Sequence, residues 1–322
     1  MNGRAIKRKF LSLSLLCILW LVALNMESSC TTIVDKLQRR LDVAREAAQR
    51  AGDIILKHAN NTLQEISTKS NATDLVTQVD QLAEQIIIQY ISQHFPNDTI
   101  IGEENSADSS GYHSMEGQPI PNHHLDENIG VWCVDPLDGT TNFCHGYPVV
   151  TVSIGCCFDG IPRIGVIYNP FLGEMYEAME GHGAYRNRQQ RLTVDTSTSL
   201  TNCLLVNNIG HLRSTEFVDE STTRISKWFH AGLRGFRSSG SAAQNMAHVA
   251  SGQVSCYYEH LFGGPWDVCA GYIIVKEAGG ILIDPTNEST FVMKYGKGSI
   301  CCGNPDVVKD VLRVAGKPQH FK

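Results

Sequence analysis

The chain has 322 residues, with 33 acidic against 27 basic side chains and a formal charge of −6. Its apolar fraction of 42 % and charged fraction of 19 % are those of an ordinary globular protein and exclude a disordered acidic tail. The acidic balance also argues against a nucleic-acid binder, which needs a basic surface.

In chain order, Arg4, Lys7, Arg8 and Lys9 precede an apolar run from Phe10 to Met26, the layout of a signal peptide or short signal-anchor. Residues 1–30 therefore read as a targeting or anchor segment that can associate with a membrane through 10–26, and 31–322 as the catalytic domain. Eleven scattered cysteines without a CxxC pull the other way. Cys156-Cys157 and Cys301-Cys302 lie in apolar runs, where strand neighbours point to opposite faces, so they read as buried free thiols of a reducing compartment. Asn60, Asn71, Asn97 and Asn287 head glycosylation sequons, which matter only in the secretory pathway. Membrane-anchored, secretory and cytoplasmic locations stay open.

From Thr31 a stripe of Ile33, Leu37, Leu41, Ala44, Ala48, Ala51 and Ile55 predicts an amphipathic helix. A second helix is expected from Gln81 to His94, with Leu82, Ile86, Tyr90 and Ile91 inward, stopped by Pro96. Between them lies a polar turn with a short extended piece, Lys69 to Asp80. Thr99 to Ile101 reads as a strand running into Gly102-Glu103-Glu104. Residues 106–128 hold Pro119, Pro121 and His123-His124 and read as a surface loop insertion.

Strands are expected next at Val131–Val134, Val149–Cys157, Ile164–Tyr168 and Met175–Ala178. The last three are separated by turns and predicted antiparallel. The second half alternates: strand Cys203–Val206, helix Thr215–Phe229, helix Ser241–Ala250, strand Val254–Tyr258, helix Trp266–Ala278, strand Ile281–Ile283, strand Ser299–Cys302, helix Pro305–Val314. The class is α/β, with mixed sheets layered against helices.

The most informative segment is Trp132-Cys133-Val134-Asp135-Pro136-Leu137-Asp138-Gly139-Thr140-Thr141-Asn142-Phe143. A strand delivers Asp135, Pro136 stops its ladder, and Asp138 follows three residues on. Gly139-Thr140-Thr141 opens a helix whose free N–H groups suit phosphate. Two carboxylates beside an anion site require a cation between them, and hard oxygen ligands with phosphate point to Mg²⁺. Glu103, Asp267 and the pair Asp74 and Asp80 also lie at element ends. Taken singly, Asp80 and Asp267 read as helix caps.

Together these residues resemble the inositol monophosphatase family, over about Val34 to Ala315, through Trp132–Phe143 and Trp266–Gly280. The resemblance implies an αβαβα sandwich of the fructose bisphosphatase type, a homodimer, and Mg²⁺-dependent, lithium-sensitive hydrolysis of inositol monophosphates. It implies that Glu103, Asp135 and the Leu137 carbonyl hold one Mg²⁺. Asp135, Asp138 and Asp267 would hold a second, and Glu103 and Asp80 would serve a weaker third. Thr140 and Asp80 would activate the attacking water, and Gly139 and Thr140 N–H groups would bind phosphate. Lys69 would sit on a mobile loop near the site, and Asp138, Gly240, Ser241, Ala242 and Glu259 would contact the inositol ring. Three departures stand out: the 106–128 insertion, one extra residue between Glu259 and Asp267, and the N-terminal apolar run. Rival readings are a phosphatase of 3′-phosphoadenosine 5′-phosphate, fructose 1,6-bisphosphate or histidinol phosphate, or a non-catalytic binding protein with this fold.

Overall fold

The computed structural model describes residues 33–59, 66–68, 75–107, 114–120, 129–210 and 212–319, with only the backbone of 66–68, 75–77 and 107. The apolar run 10–26 and Lys69 lie outside these residues. Among the described residues no helix is long and apolar enough to cross a membrane. The chain divides into two compact units, Met1–Arg39 and Arg40–Lys322. The described part of the first, 33–39, is helical. The second contains the sheets, the core and the candidate site.

Three sheets, eight α-helices and a 3₁₀ turn at Leu200–Asn202 account for the regular structure of the described residues. Helix α1 runs over 33–58, β1 (Ile66–Thr68) and β2 (Leu75–Thr77) form an antiparallel pair, and α2 spans Gln78–His94. The seven-stranded sheet contains β3 (Thr99–Gly102), β4 (Val131–Asp138), β5 (Thr151–Phe158), β6 (Ile161–Asn169), β7 (Glu174–Met179), β8 (Ala184–Arg186) and β9 (Gln190–Arg191), adjacent in that order. Only β3 and β4 are parallel; the later strands meander antiparallel, as the turns predict. Two short helices, α3 (Glu103–Ala107) and α4 (Thr140–Cys144), leave the ends of β3 and β4.

The six-stranded sheet takes β10 (Leu204–Ile209), β11 (Gly235–Arg237), β12 (Cys256–Phe262), β13 (Ile281–Asp284), β14 (Ser289–Thr290) and β15 (Gly298–Gly303) in the order 11-10-12-15-13-14. Its helices are α5 (Thr215–His230), α6 (Ala242–Ala250), α7 (Pro265–Glu277) and α8 (Pro305–Ala315).

Helices α6 and α7 lie between the two sheets, and their side chains join β4, β5, β6, β12 and β15 in one core. Helix α7 is buried on nearly every side, which is why it reads as almost continuously apolar. Close approach to the seven-stranded sheet depends on missing side chains. A Cβ on Gly155 would lie 2.4 Å from Cys269 Sγ, and one on Gly165 would lie 2.5 Å from the Ala270 carbonyl. On the far face of the six-stranded sheet, α5 and α8 pack Trp228, Val307, Val308 and Val311 over Leu205, Tyr258 and Cys301. The Trp228 indole N–H donates to the Val311 carbonyl at 3.0 Å. On the other side α2 packs on β4, and α1 meets β6 where Gly52 leaves room for the Tyr168 ring. The layering is αβαβα, as the resemblance implies.

The nine described cysteines are all buried and free, as their apolar settings predict. Cys157 and Cys269 place their sulfurs 3.5 Å apart, and Cys256 and Cys301 theirs 3.6 Å apart. A buried ion pair sets the start of the large sheet. Arg40 meets Asp98 at 3.1 Å, and Asp98 also accepts from the Trp132 indole and the Gly130 amide.

Four expectations need correction. Helix α2 begins at Gln78, not Gln81, so Asp80 lies in its first turn and is not a cap preceding the helix. Its inner face is Val79, Asp80, Ala83, Glu84, Ile87 and Ile91, while Leu82 is 43 % exposed. Strand β6 begins at Ile161 and includes Pro162, where a register shift opposite Cys156 and Cys157 accommodates a residue that cannot donate to the ladder. Of the 106–128 insertion, Ser106 and Ala107 belong to helix α3 and not to a loop, while residues 114–120 lie mostly exposed and are fastened to the chain before β15: Pro119 bridges Lys294, and the Gly117 amide donates to the Tyr295 carbonyl at 2.9 Å.

Candidate active site

The site grows from a defect in β4. Asp135 and Asp138 are three residues apart, which on a regular strand would put them on opposite faces. The register runs Asp135↔Ser153 and Asp138↔Thr151, so one strand spends an extra residue here. This bulge, next to Pro136, turns both carboxylates to one side. Asp135 is buried, and one of its oxygens accepts from the Leu137 amide at 2.9 Å. Gly139 then takes φ 101°, in the left-handed region, with its Cα so close to the Val149 carbonyl that a Cβ would lie 2.8 Å away. That turn starts α4 at Thr140.

Thr140 joins two segments. Its hydroxyl lies 3.1 Å from Asp80 Oδ1 on α2 and 3.3 Å from the Leu137 carbonyl. One hydroxyl proton serves one acceptor at a time, so the oxygen remains available to accept from a third group. Asp80 is fully buried.

Asp138 reaches the opposite segment. Its carboxylate accepts from the Ser241 hydroxyl at 2.7 Å, the Ala242 amide at 3.2 Å and the Ala243 amide at 2.6 Å. Ser241 is the N-cap of α6 and also accepts from the Gln244 amide. The polar atoms of Ser241 and Ala242, placed by resemblance against the substrate, thus hold Asp138 in position. Gly240, at φ +82°, donates its amide to Asn208 Oδ1 at 3.1 Å, and the Asn208 amide group donates to Glu259 at 3.4 Å. Glu259 lies on β12 and also accepts from the Tyr257 hydroxyl. Asn142 ties the two segments together, donating to the Val149 and Ser239 carbonyls at 2.7 and 2.8 Å.

Asp267 is the third residue of α7, and Gly264 is the cap. The carboxylate reaches back to the amides of Gly263 and Gly264 at 2.6 and 3.3 Å. Read alone as a cap, Asp267 does serve that helix end, one turn inside it. A bulge at Leu261, at φ +65°, lies in the stretch between Glu259 and Asp267 that carries the extra residue. Glu103, half-buried, opens α3 beside this group.

The electrostatics identify the cluster. Burial pushes the Asp138 carboxyl up to about 6 and the Glu259 carboxyl up to about 8, the latter helped by the Asp138 charge. Asp135 and Asp267 are raised well above the usual carboxylate range, first by burial. The charges of Glu103 and Asp138 push both further, and Asp135 and Asp267 each feel a third acid, Asp267 and Glu259 respectively. Among the described residues, no basic side chain pairs with Asp135, Asp138, Asp267 or Glu259. An all-oxygen set of repelling, buried acids lacks a positive charge and fits a hard divalent cation.

Every expected site residue that falls among the described residues therefore lies in this one region. Sequence reading missed Glu84, Asn142, Asn208 and Tyr257 as parts of it. Asn142 stands within the Trp132–Phe143 motif, and Tyr257 two residues before Glu259. Asn208 and Glu84 carry no local signal beyond being polar residues among apolar neighbours.

Residues 36–315 match the family model described as the inositol monophosphatase family. Inositol monophosphatase 2 of Solanum lycopersicum is 40 % identical over 252 residues, 78 % of this chain and 89 % of that protein. Inositol monophosphatase 1 of Homo sapiens is 38 % identical over 257 residues, 79 % and 86 % of the two chains. The solved structure of an inositol monophosphatase from Anabaena superposes with a TM-score of 0.66 at 32 % identity, covering 86 % of this chain and 95 % of that one. With the motifs, the layering and these likenesses in agreement, the chain belongs to the inositol monophosphatase family.

Proposed function

We propose that the protein hydrolyses myo-inositol monophosphates to myo-inositol and phosphate, with Mg²⁺ as its cation. The observation that carries this is the convergence of Asp80, Glu103, Asp135, Asp138 and Asp267, from four separate segments, around Thr140 and the start of α4. Glu103, Asp135 and the Leu137 carbonyl would hold one cation; Asp135, Asp138 and Asp267 would hold a second; Glu103 and Asp80 would serve a weaker third. When bound, divalent cations neutralise the phosphate dianion, acidify water and stabilise the leaving alkoxide.

The protein's own groups orient and discriminate. The amides of Gly139 and Thr140, at the start of a helix, bind phosphate oxygens. Thr140 orients the attacking water through its hydroxyl, and Asp80 receives the proton. In this proposal Glu259, linked through Asn208 to Gly240, serves the ring side of the site, and Lys69, outside the described residues, is assigned to the substrate. In the metal-free chain, burial and the Asp138 charge push the Glu259 carboxyl up to about 8; bound cations favour its charged form, which accepts hydrogen bonds from sugar hydroxyls.

The working unit in this proposal is a homodimer of the 31–322 domain, with 1–30 as a targeting or anchor segment. The test is phosphate release by the purified chain from inositol 1-phosphate, 3′-phosphoadenosine 5′-phosphate and fructose 1,6-bisphosphate, with Mg²⁺ and with added Li⁺. Preference for inositol 1-phosphate and inhibition by Li⁺ are expected. Preference for the nucleotide would overturn the substrate assignment, and no release from any of the three would overturn the enzyme itself.

A further inference from the structure

We infer that Glu84 is a positioning residue for Glu103, acting through the Glu103–Glu104 peptide, and that it thereby sets the cation affinity of the carboxylate cluster. The inference rests on the proposed function above. Glu84 follows Asp80 by one turn on the same buried face of α2 and is 1 % exposed. Its Oε1 accepts the Glu104 amide at 2.9 Å. That amide is one of the N–H groups that the first turn of α3 leaves without a partner in the helix. The bond fixes the peptide plane attached to the Cα of Glu103, and with it the direction in which the Glu103 carboxylate leaves the backbone.

The neighbouring backbone is shaped to admit this carboxylate. A Cβ on Gly102 would lie 2.0 Å from Glu84 Oε1 and 2.7 Å from its Cδ. Only a residue without a side chain lets Glu84 reach the end of β3. Glu103 also needs an anchor more than the other acids do. Asp135 and Asp138 sit on the buried strand β4, and Asp267 on the enclosed helix α7. Glu103 instead opens a five-residue helix behind the edge strand of its sheet. Helix α2 thus delivers two acids from one face, Asp80 to Thr140 on α4 and Glu84 to the start of α3, and holds those two segments at a set spacing.

The test uses the full chain stripped of metal, with Mn²⁺ as the probe, followed by calorimetry and by the loss of free-ion paramagnetic resonance. Glu84→Ala is expected to weaken Mn²⁺ binding by about ten- to hundredfold, the usual cost of losing a partner behind a ligand. Glu84→Gln keeps a carbonyl oxygen for the Glu104 amide and is expected to stay within about twofold of wild type. Gly102→Ala leaves the acid intact but displaces it, and is expected to weaken binding as Glu84→Ala does. Raising Mg²⁺ should restore turnover in the weakened variants, so the half-activating concentration moves more than kcat.

Wild-type affinity in both Glu84→Ala and Gly102→Ala would overturn the inference, as would a Glu84→Gln variant as weak as Glu84→Ala, which would mean that charge matters and not the hydrogen bond. If Glu84→Ala does not fold, Glu84→Gln and Gly102→Ala decide the matter between them. Failure of the wild-type chain to bind Mn²⁺ would instead sink the proposed function, and binding without phosphate release would sink only its chemistry.

Discussion

The acids gathered at this site make the metal-free protein less stable as pH rises. Asp138 titrates near 6 in the folded protein against 3.8 for a free side chain, and Glu259 near 8 against 4.5. Between each pair of values the folded chain holds a proton that the unfolded chain has lost. Stability is therefore full below the unfolded value and is lost as pH climbs towards the folded one. From about pH 5 to about pH 8, Asp138 contributes a loss of about 1 kcal/mol and Glu259 a loss of about 4 kcal/mol. Together they come to something on the order of 5 kcal/mol, a large share of the stability of an ordinary domain. Asp135 and Asp267, raised in the same direction, steepen the slope. A bound divalent cation favours the charged forms and should reverse it. The assay is the thermal midpoint of the full chain, by circular dichroism, across this pH range with a chelator or with Mg²⁺. The expected result is a falling midpoint with chelator, the gap opened by Mg²⁺ widening as pH rises, and a flatter curve for Glu259→Gln. A metal-free midpoint that holds steady or rises between about pH 5 and about pH 8 would refute the reasoning.

Single contacts carry the other expected outcomes. Thr140→Ala removes the hydroxyl between Asp80 and the Leu137 carbonyl and should lower kcat by about a hundredfold or more, while Thr140→Ser keeps most of it, as read by phosphate release. Asp138→Asn turns an NH₂ group towards donors already aimed at the carboxylate. It should abolish nearly all turnover with the fold retained by circular dichroism, and near-wild-type activity would remove Asp138 from the cation site. Gly139→Ala forces a Cβ into the left-handed region and to 2.8 Å from the Val149 carbonyl, which should cost about 1–3 kcal/mol in urea melts. Native protein should expose at most Cys17 and Cys30 to an aromatic disulfide reagent, with the nine buried thiols reacting only after denaturation.

Much of the fold and site is legible in the sequence wherever the signal is local. Ser214, Ser241 and Asn304 cap α5, α6 and α8 where those helices are expected to start, whereas Pro136 does not stop the β4 ladder as expected: the strand bulges around it and pairs again at Asp138. Reading fails on the face of α2 for a reason tied to the site. Asp80 and Glu84 occupy the inner face, so it looks polar, and the apolar stripe 82/86/90 invites the wrong rotation. The charges are tolerated inside because Asp80 meets the Thr140 hydroxyl and Glu84 meets a helix-end amide, partners supplied from 60 and 20 residues away. The bulge that turns Asp135 and Asp138 to one side likewise depends on the register against β5, which no three-residue spacing encodes. Short strands such as β8, β9, β11 and β14 have two or three residues each, too few to leave a periodicity to find.

The most direct test of the central claim is metal add-back. Full-length protein is stripped with a chelator, given inositol 1-phosphate, and followed for phosphate as Mg²⁺ is returned. Saturable release rising from a metal-free baseline of zero is the expected result. Release that is independent of added metal, or none at any Mg²⁺ concentration, would contradict the assignment of the Asp80, Glu103, Asp135, Asp138 and Asp267 cluster as a cation-dependent phosphatase site.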